Sequence, residues 1–231
     1  MHAQIVLFDG FDLLDVIAPY EVLYAGGAAS DGAVDVELVS AEGRREVVSG
    51  TGGVTLWATA ALDPERAGLV VVPGAAGRVG TPGEAPDEAP DEDAGARTPD
   101  EFLSVLLGRA VQTGLPSLLK AAMDRPGLTV ATVCGGSLLL GLAGLLKGRR
   151  ATTHHLALET LAETGAQVVP ARMVDDGDLV TGGGVTSGLD LGLHLLEREV
   201  GPKIAHAVEE LFAYERRGVV WRDRGPAPSA P

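Results

Sequence analysis

A single cysteine, Cys134, stands among 231 residues, so no intrachain disulfide can brace this fold. Aromatic residues make up only 4% of the chain. With 45% hydrophobic residues and 32 glycines, the core has to be built from closely packed Leu, Val and Ala. Cations are scarce: 18 Lys and Arg face 32 Asp and Glu, a formal charge of −14. Phosphate neutralisation needs clustered cations, so neither nucleic acid nor an anionic membrane is expected as a partner. No apolar run approaches the roughly 20 residues of a membrane-spanning helix. A basic-then-apolar leader is also missing, since Gln4-Ile5-Val6-Leu7-Phe8 runs straight into Asp9-Gly10, and the expectation is a soluble, cytoplasmic protein. The glycine run Gly182-Gly183-Gly184 has neither dinucleotide-loop spacing nor a Gly-Lys-Ser/Thr ending, which excludes a nucleotide site of those kinds. Adjacent His154 and His155 face different ways on a helix, with no Cys or carboxylate at ligand spacing. No metal and no organic cofactor is expected.

What is present is organised around Val130 to Gly141. An apolar, β-branched run stops at Cys134, Gly135 and Gly136 follow, and a Leu-rich helical segment begins: strand, sharp elbow, helix. Such an elbow lifts a side chain above the carboxyl edge of a sheet, with the free N–H groups of a helix start beneath it. Those N–H groups would favour the reactive thiolate. A lone cysteine is also a common core-filling residue. The two glycines decide between these readings, because they remove the side chains that would screen backbone N–H groups from sulfur.

Along the chain, Ile5 to Phe8 reads as a buried strand, turned by Asp9-Gly10-Phe11-Asp12 towards a helix in which Pro19 suits the first turn. Asp15 sits just before it among Leu13, Leu14, Val16 and Ile17, and is either a capping residue or a carboxylate carried into an apolar site. Val34 to Val39 alternates as a half-exposed strand, and Gly50 to Leu56 turns into another. Leu69 to Val72 is a buried strand ending in Pro73-Gly74-Ala75-Ala76-Gly77, a bare loop that can present backbone N–H donors. Residues 78–100 are rich in Pro, Gly and carboxylates and read as an acidic, mobile insertion. Helices follow at Phe102 to Val111 and Pro116 to Met123. After the elbow helix, closed by Lys147, Arg149 and Arg150, come a brief strand at Ala151-Thr152-Thr153 and a helix from His154. Strands at 167–169 and 178–181 and helices at 190–199 and 204–214 complete the pattern. The expected organisation is one α/β domain over 1–225, with 226–231 a disordered tail.

Strands alternating with helices make a mostly parallel sheet covered on both faces, whose ligands bind at strand carboxyl ends. Asp15, the Gly74-Ala75 loop, Cys134 and the loop from Thr181 to Gly188 all follow strands and can meet at one edge. That meeting raises Asp15 to a candidate acid or base.

The chain resembles the DJ-1/PfpI (ThiJ) superfamily and, within it, the isonitrile hydratase-like branch. The residues that carry the resemblance are Phe8-Asp9-Gly10-Phe11 with Leu14-Asp15-Val16 and Pro19, then Val72-Pro73-Gly74 and Thr132-Val133-Cys134-Gly135-Gly136-Ser137. The runs from Leu145 to His154 and from Thr181 to Asp190 extend it over most of the chain. The resemblance implies a flavodoxin-like three-layer sandwich, a homodimer, Cys134 as elbow nucleophile and Asp15 as its partner carboxylate. Two positions depart from the pattern. Gly135 stands where isonitrile hydratases carry Thr and the proteolysis-associated branch carries His, which argues against a His-paired peptidase. Ala75 stands where many relatives have a second glycine.

By this resemblance the expected activity is hydration of a small-molecule isonitrile to an N-substituted formamide through a cysteine thioimidate. Asp15 would handle the proton, and the backbone around Ala75, Gly135, Gly74 and Gly136 would receive negative charge and substrate. Other readings of the same thiol are glyoxalase-like hydration of a dicarbonyl and a redox or ligand sensor without catalysis. Relatives also occur as the sensor half of transcription regulators. The chain ends at Pro231, and no DNA-binding helix pair is expected after the α/β unit.

Overall fold

The structure is a computed structural model that describes residues 1–78 and 102–226. Apart from Arg78 and Pro226, the expected acidic insertion and the expected tail lie outside the described residues. The elements run β1 (His2–Leu7), α1 (Leu13–Ala29), β2 (Asp35–Ser40), β3 (Arg45–Val48), β4 (Thr55–Ala58), β5 (Ala60–Ala61) and β6 (Leu69–Val72). Then follow α2 (Leu103–Val111), α3 (Leu115–Asp124), β7 (Thr129–Thr132), α4 (Gly136–Leu142), β8 (Arg150–Ala151), α5 (Leu158–Glu163) and β9 (Gln167–Val168). The chain continues with β10 (Met173–Asp175), β11 (Leu179–Gly182), α6 (Ser187–Glu199) and α7 (Pro202–Phe212).

Seven strands form the central sheet in the order β10-β11-β7-β6-β1-β2-β5. All neighbours pair in parallel except β10 and β11. Every residue of β6, β7 and β11 is buried, as strands covered on both faces must be. From β1 the chain first steps one way to β2 and β5, then returns past β1 to β6, β7 and β11 on the other side. Right-handed crossovers in opposite directions put their helices on opposite faces. Accordingly α1 packs with α6 and α7, while α2 packs with α3 and α4. The result is the flavodoxin-like α/β sandwich of the first expectation. The reversal lies between β1 and β6, the position where open α/β sheets form a crevice at their carboxyl ends.

Three local expectations change. Helix α1 starts at Leu13, so Pro19 lies in its interior, where it supplies no N–H to the carbonyl of Asp15. Asp12 is the N-cap, its side chain accepting from the N–H groups of Leu14 and Asp15; Asp15 is therefore released from capping. Helix α4 ends at Leu142, before the basic residues. Arg149 instead pairs with Asp176 and Asp178, at 2.8 and 2.6 Å. Strands β3 and β10 were not apparent in the pattern.

Glycines allow the layers to touch. Helix α1 meets α6 where Gly192 faces Val22 and Gly26 faces Leu196. The tail of α1 lies on the chain before β2, where a Cβ on Gly27 would stand 2.2 Å from the carbonyl oxygen of Val34. Backbone cannot rotate away as a side chain can. Gly27→Ala should therefore cost about 1–3 kcal/mol by overpacking, lowering the thermal midpoint by several degrees in a calorimetric scan while leaving the far-ultraviolet spectrum unchanged.

Candidate active site

The strand-to-helix elbow is strained as its sequence suggests. Cys134 has a φ of 51°, a left-handed conformation that a non-glycine residue adopts at a cost of about 1–3 kcal/mol. Several bonds hold it there. Its N–H donates to the carbonyl of Gly182 at 3.0 Å, and its carbonyl accepts from the Thr153 hydroxyl at 2.8 Å. The hydroxyls of Thr132 and Ser137 bridge the two arms of the elbow at 2.6 Å, both fully buried. Gly136 follows because nothing larger fits: a Cβ there would lie 2.2 Å from the carbonyl oxygen of Val72.

Asp15 reaches the same place from α1. Its residue is fully buried, and its Oδ2 accepts from the Gly74 N–H at 2.9 Å. Its Oδ1 is buried with no hydrogen-bond partner among the described residues. The Cys134 thiol lies near enough for acid and thiol each to shift the other's titration. Gly74 makes this approach possible, since a Cβ on it would meet the Gly135 nitrogen at 2.6 Å and Asp15 Oδ2 at 2.9 Å. The next residue, Ala75, is buried and bridges to Phe11, and its own N–H has no acceptor among the described residues. The Gly135 N–H points at sulfur.

The electrostatics of the thiol differ from the sequence expectation. Burial pushes the Asp15 carboxyl up to about 8, with the charge of Asp12 adding to it and the Gly74 N–H and Cys134 opposing. The Cys134 thiol is pushed up to about 12, first by burial and then by the Asp15 charge, and the Gly135 N–H only offsets part of this. The helix start therefore does not by itself make a thiolate. Acid and thiol form one coupled pair, which loses its first proton near 8 and keeps the second mainly on sulfur.

The structure thus brings together Cys134, Asp15, Gly74, Ala75, Gly135 and Gly136. Sequence reasoning did not single out Thr153 or the Thr132–Ser137 bridge as supports of the elbow; small hydroxyl residues beside a strained turn are the signal that could have found them. The rings of His154 and His155 lie against each other with centroids 4.3 Å apart and planes tilted by 34°. The His154 imidazole, lowered by burial and by the charge of His155, accepts from the Leu156 N–H. Among the described residues, no cluster of His, Cys, Asp and Glu is built to hold a metal ion, and no helix is long and apolar enough to cross a membrane. A cavity of about 790 Å³ opens on the far side of the Ala76-Gly77 loop, towards Arg45 and Leu106, and Cys134 does not line it.

Two measurements test this electrostatic picture. Asp15→Asn removes the carboxylate charge that holds the thiol up, so the thiolate absorbance of Cys134 should appear at lower pH than in wild type. The second follows from linkage. With its folded value raised from 3.8 to about 8, Asp15 contributes stability that is full below the unfolded value and lost as pH rises towards 8. Wild type should therefore lose stability relative to Asp15→Asn across that window, by at most about 1.4 kcal/mol per pH unit in urea melts.

A sequence profile of the DJ-1/PfpI family matches residues 109–198. The chain is 48% identical over 85 residues to isonitrile hydratase from Pseudomonas putida, covering 37% of each protein. It is 38% identical over 110 residues to the HTH-type transcriptional regulator CdhR from Pseudomonas aeruginosa, covering 47% of this chain and 32% of the regulator. Both matches thus span about a third of the relative's length. A protein in the cpoL 5' region of Streptomyces lividans is 32% identical over 168 residues, which cover 70% of this chain and 93% of that one. Among solved structures, a ThiJ/PfpI family protein from Pseudomonas syringae superposes with a TM-score of 0.70 at 24% identity, over 94% of this chain and 76% of that chain. With the elbow, the buried acid and the sheet order in place, these matches show that the chain belongs to the DJ-1/PfpI family.

Proposed function

We propose that this protein is an isonitrile hydratase-like lyase that adds water to an isonitrile, giving an N-substituted formamide. The observation that carries the reading is the buried Asp15 carboxyl, with one oxygen held by Gly74 and the other without a partner among the described residues, beside the Cys134 thiol whose titration it shifts. An isonitrile carbon must accept both a nucleophile and a proton. The singly protonated pair supplies both: in its reactive tautomer Cys134 is thiolate and Asp15 holds the proton. Sulfur bonds to the terminal carbon and Asp15 delivers its proton to the same carbon, giving R–N=CH–S–Cys134. The carboxylate then takes a proton from water as water adds to that carbon. The carbon–sulfur bond breaks, and the thiolate and acid return as the formamide tautomerises. The sum is R–NC plus H2O to R–NH–CHO. The N–H of Gly135, which acts on the thiol, and that of Ala75, which has no acceptor among the described residues, would stabilise negative charge as the adduct forms and breaks.

Support for this branch comes from the match to the Pseudomonas putida isonitrile hydratase. Support for a second reading, a ligand-sensing or redox-sensing unit, comes from the match to the regulator CdhR. A homodimer is part of the proposal, with Leu14 and Tyr24 exposed on α1 at 45% and 61% as apolar surface for the second copy. So is a cytoplasmic location, which suits an unpaired thiol.

The test is formation of formamide from a simple alkyl isonitrile, followed by chromatography with mass detection. Wild type should turn over, with kcat/KM rising with pH towards a plateau above about 8 as the pair loses its first proton. Cys134→Ala should be inactive, and Asp15→Asn should lose at least ~100-fold while keeping its fold. Turnover retained in Asp15→Asn removes the acid from the mechanism; no formamide from wild type moves the protein to the sensor reading or to dicarbonyl hydration.

A further inference from the structure

Four glycines border the elbow, and three of them are crowded. A Cβ on Gly74 would lie 2.6 Å from the Gly135 nitrogen, one on Gly136 2.2 Å from the Val72 carbonyl oxygen, and one on Gly182 2.7 Å from the Ser187 hydroxyl oxygen. Gly135 is different. Its φ of −68° and ψ of −4° are ordinary right-handed values that any residue adopts. A Cβ there would meet only the Gly74 Cα at 3.4 Å and the Ala75 nitrogen at 3.8 Å, which is normal contact. Neither backbone conformation nor packing requires a glycine. Glycine is also the less stable choice at such a position, because it gives the unfolded chain more freedom than alanine would.

The absent side chain therefore leaves room at one defined place. That place lies over the Gly74–Ala75 peptide, directly after the nucleophile in the chain, and against the Ala75 N–H that has no acceptor among the described residues. It is also beside the Gly74 N–H that holds Asp15. Room at this point is room beside the reacting atoms themselves.

We propose that Gly135 is the specificity-determining position of this site: by omitting its side chain it admits electrophiles that carry a branch at or next to the reacting carbon. This rests on the reading of Cys134 as the attacking atom. The backbone N–H of residue 135 is kept in any substitution, so the effect of a larger residue is steric. One or two methyl groups in a closed site discriminate strongly between substrates that differ by a methyl group.

Because Cys134 is the only thiol, intact-protein mass spectrometry reports its alkylation without ambiguity. The experiment measures second-order rate constants for bromoacetamide and for 2-bromopropanamide, which adds one methyl at the reacting carbon, in wild type, Gly135→Ala and Gly135→Val. Intrinsic reactivity cancels when the branched-to-unbranched ratio is compared between variants. The ratio should fall in Gly135→Ala and by at least ~10-fold in Gly135→Val. An unchanged ratio in a folded Gly135→Val overturns the proposal, and should that variant not fold, the Ala variant decides in the same way. The same proteins are given n-butyl and tert-butyl isonitrile. No formamide from any of them, with the alkylation ratio falling, removes the proposed reaction and leaves Gly135 as the steric gate. Formamide from all with an unchanged ratio removes the gate alone.

Discussion

One hydrogen bond, from the Gly74 N–H to Asp15 Oδ2 at 2.9 Å, is the contact on which the rest of the site depends. It joins the loop after β6 to the first turn of α1, the two segments that flank the reversal of strand order. It forms only because position 74 carries no side chain, so that this loop can lie against Gly135 on one side and the carboxyl on the other. Asp12 makes the bond possible from below, since by capping α1 it leaves Asp15 free to point inward. The elbow then closes the arrangement from the third side, held in a left-handed conformation by Gly182, Thr153 and the Thr132–Ser137 bridge.

Burial is what gives the pair its chemistry. Removing water raises both groups, the acid to about 8 and the thiol to about 12, because each is more costly to charge away from solvent and each charge opposes the other. A thiolate on a helix start alone would be a nucleophile without a proton to give. A buried acid alone would be a proton donor with nothing to attack. Side by side, they are the pair from which the proposed mechanism draws its nucleophile and its proton. The space left at Gly135 lies over the Gly74–Ala75 peptide, within the same short stretch of the site.

Much of this was legible in the amino-acid sequence where local chemistry admits one solution. The run Leu69-Val70-Val71-Val72 can only be a buried strand, and β-branched residues ending in Cys-Gly-Gly before a Leu-rich segment can only turn sharply. Strands β3 and β10 were not legible. Arg45–Val48 is polar and finds its partner in a surface hairpin, and Met173–Asp175 is three residues long and defined by its antiparallel neighbour. Pro19 looked like a helix start because prolines favour one, yet Asp12 caps the helix seven residues earlier.

The sequence by itself determined the strand-helix alternation, the elbow at Cys134 and the bare loop at Gly74-Ala75, because these follow from the period of the apolar residues and from where glycine stands. Only the tertiary structure decided that Asp12 caps while Asp15 is buried against Gly74, that the thiol is raised instead of lowered, and that Gly135 alone among its neighbours is not crowded by packing. Those three outcomes depend on what comes within a few ångströms of each group from distant parts of the chain. Charge, burial and steric room are properties of that neighbourhood, which local sequence does not contain.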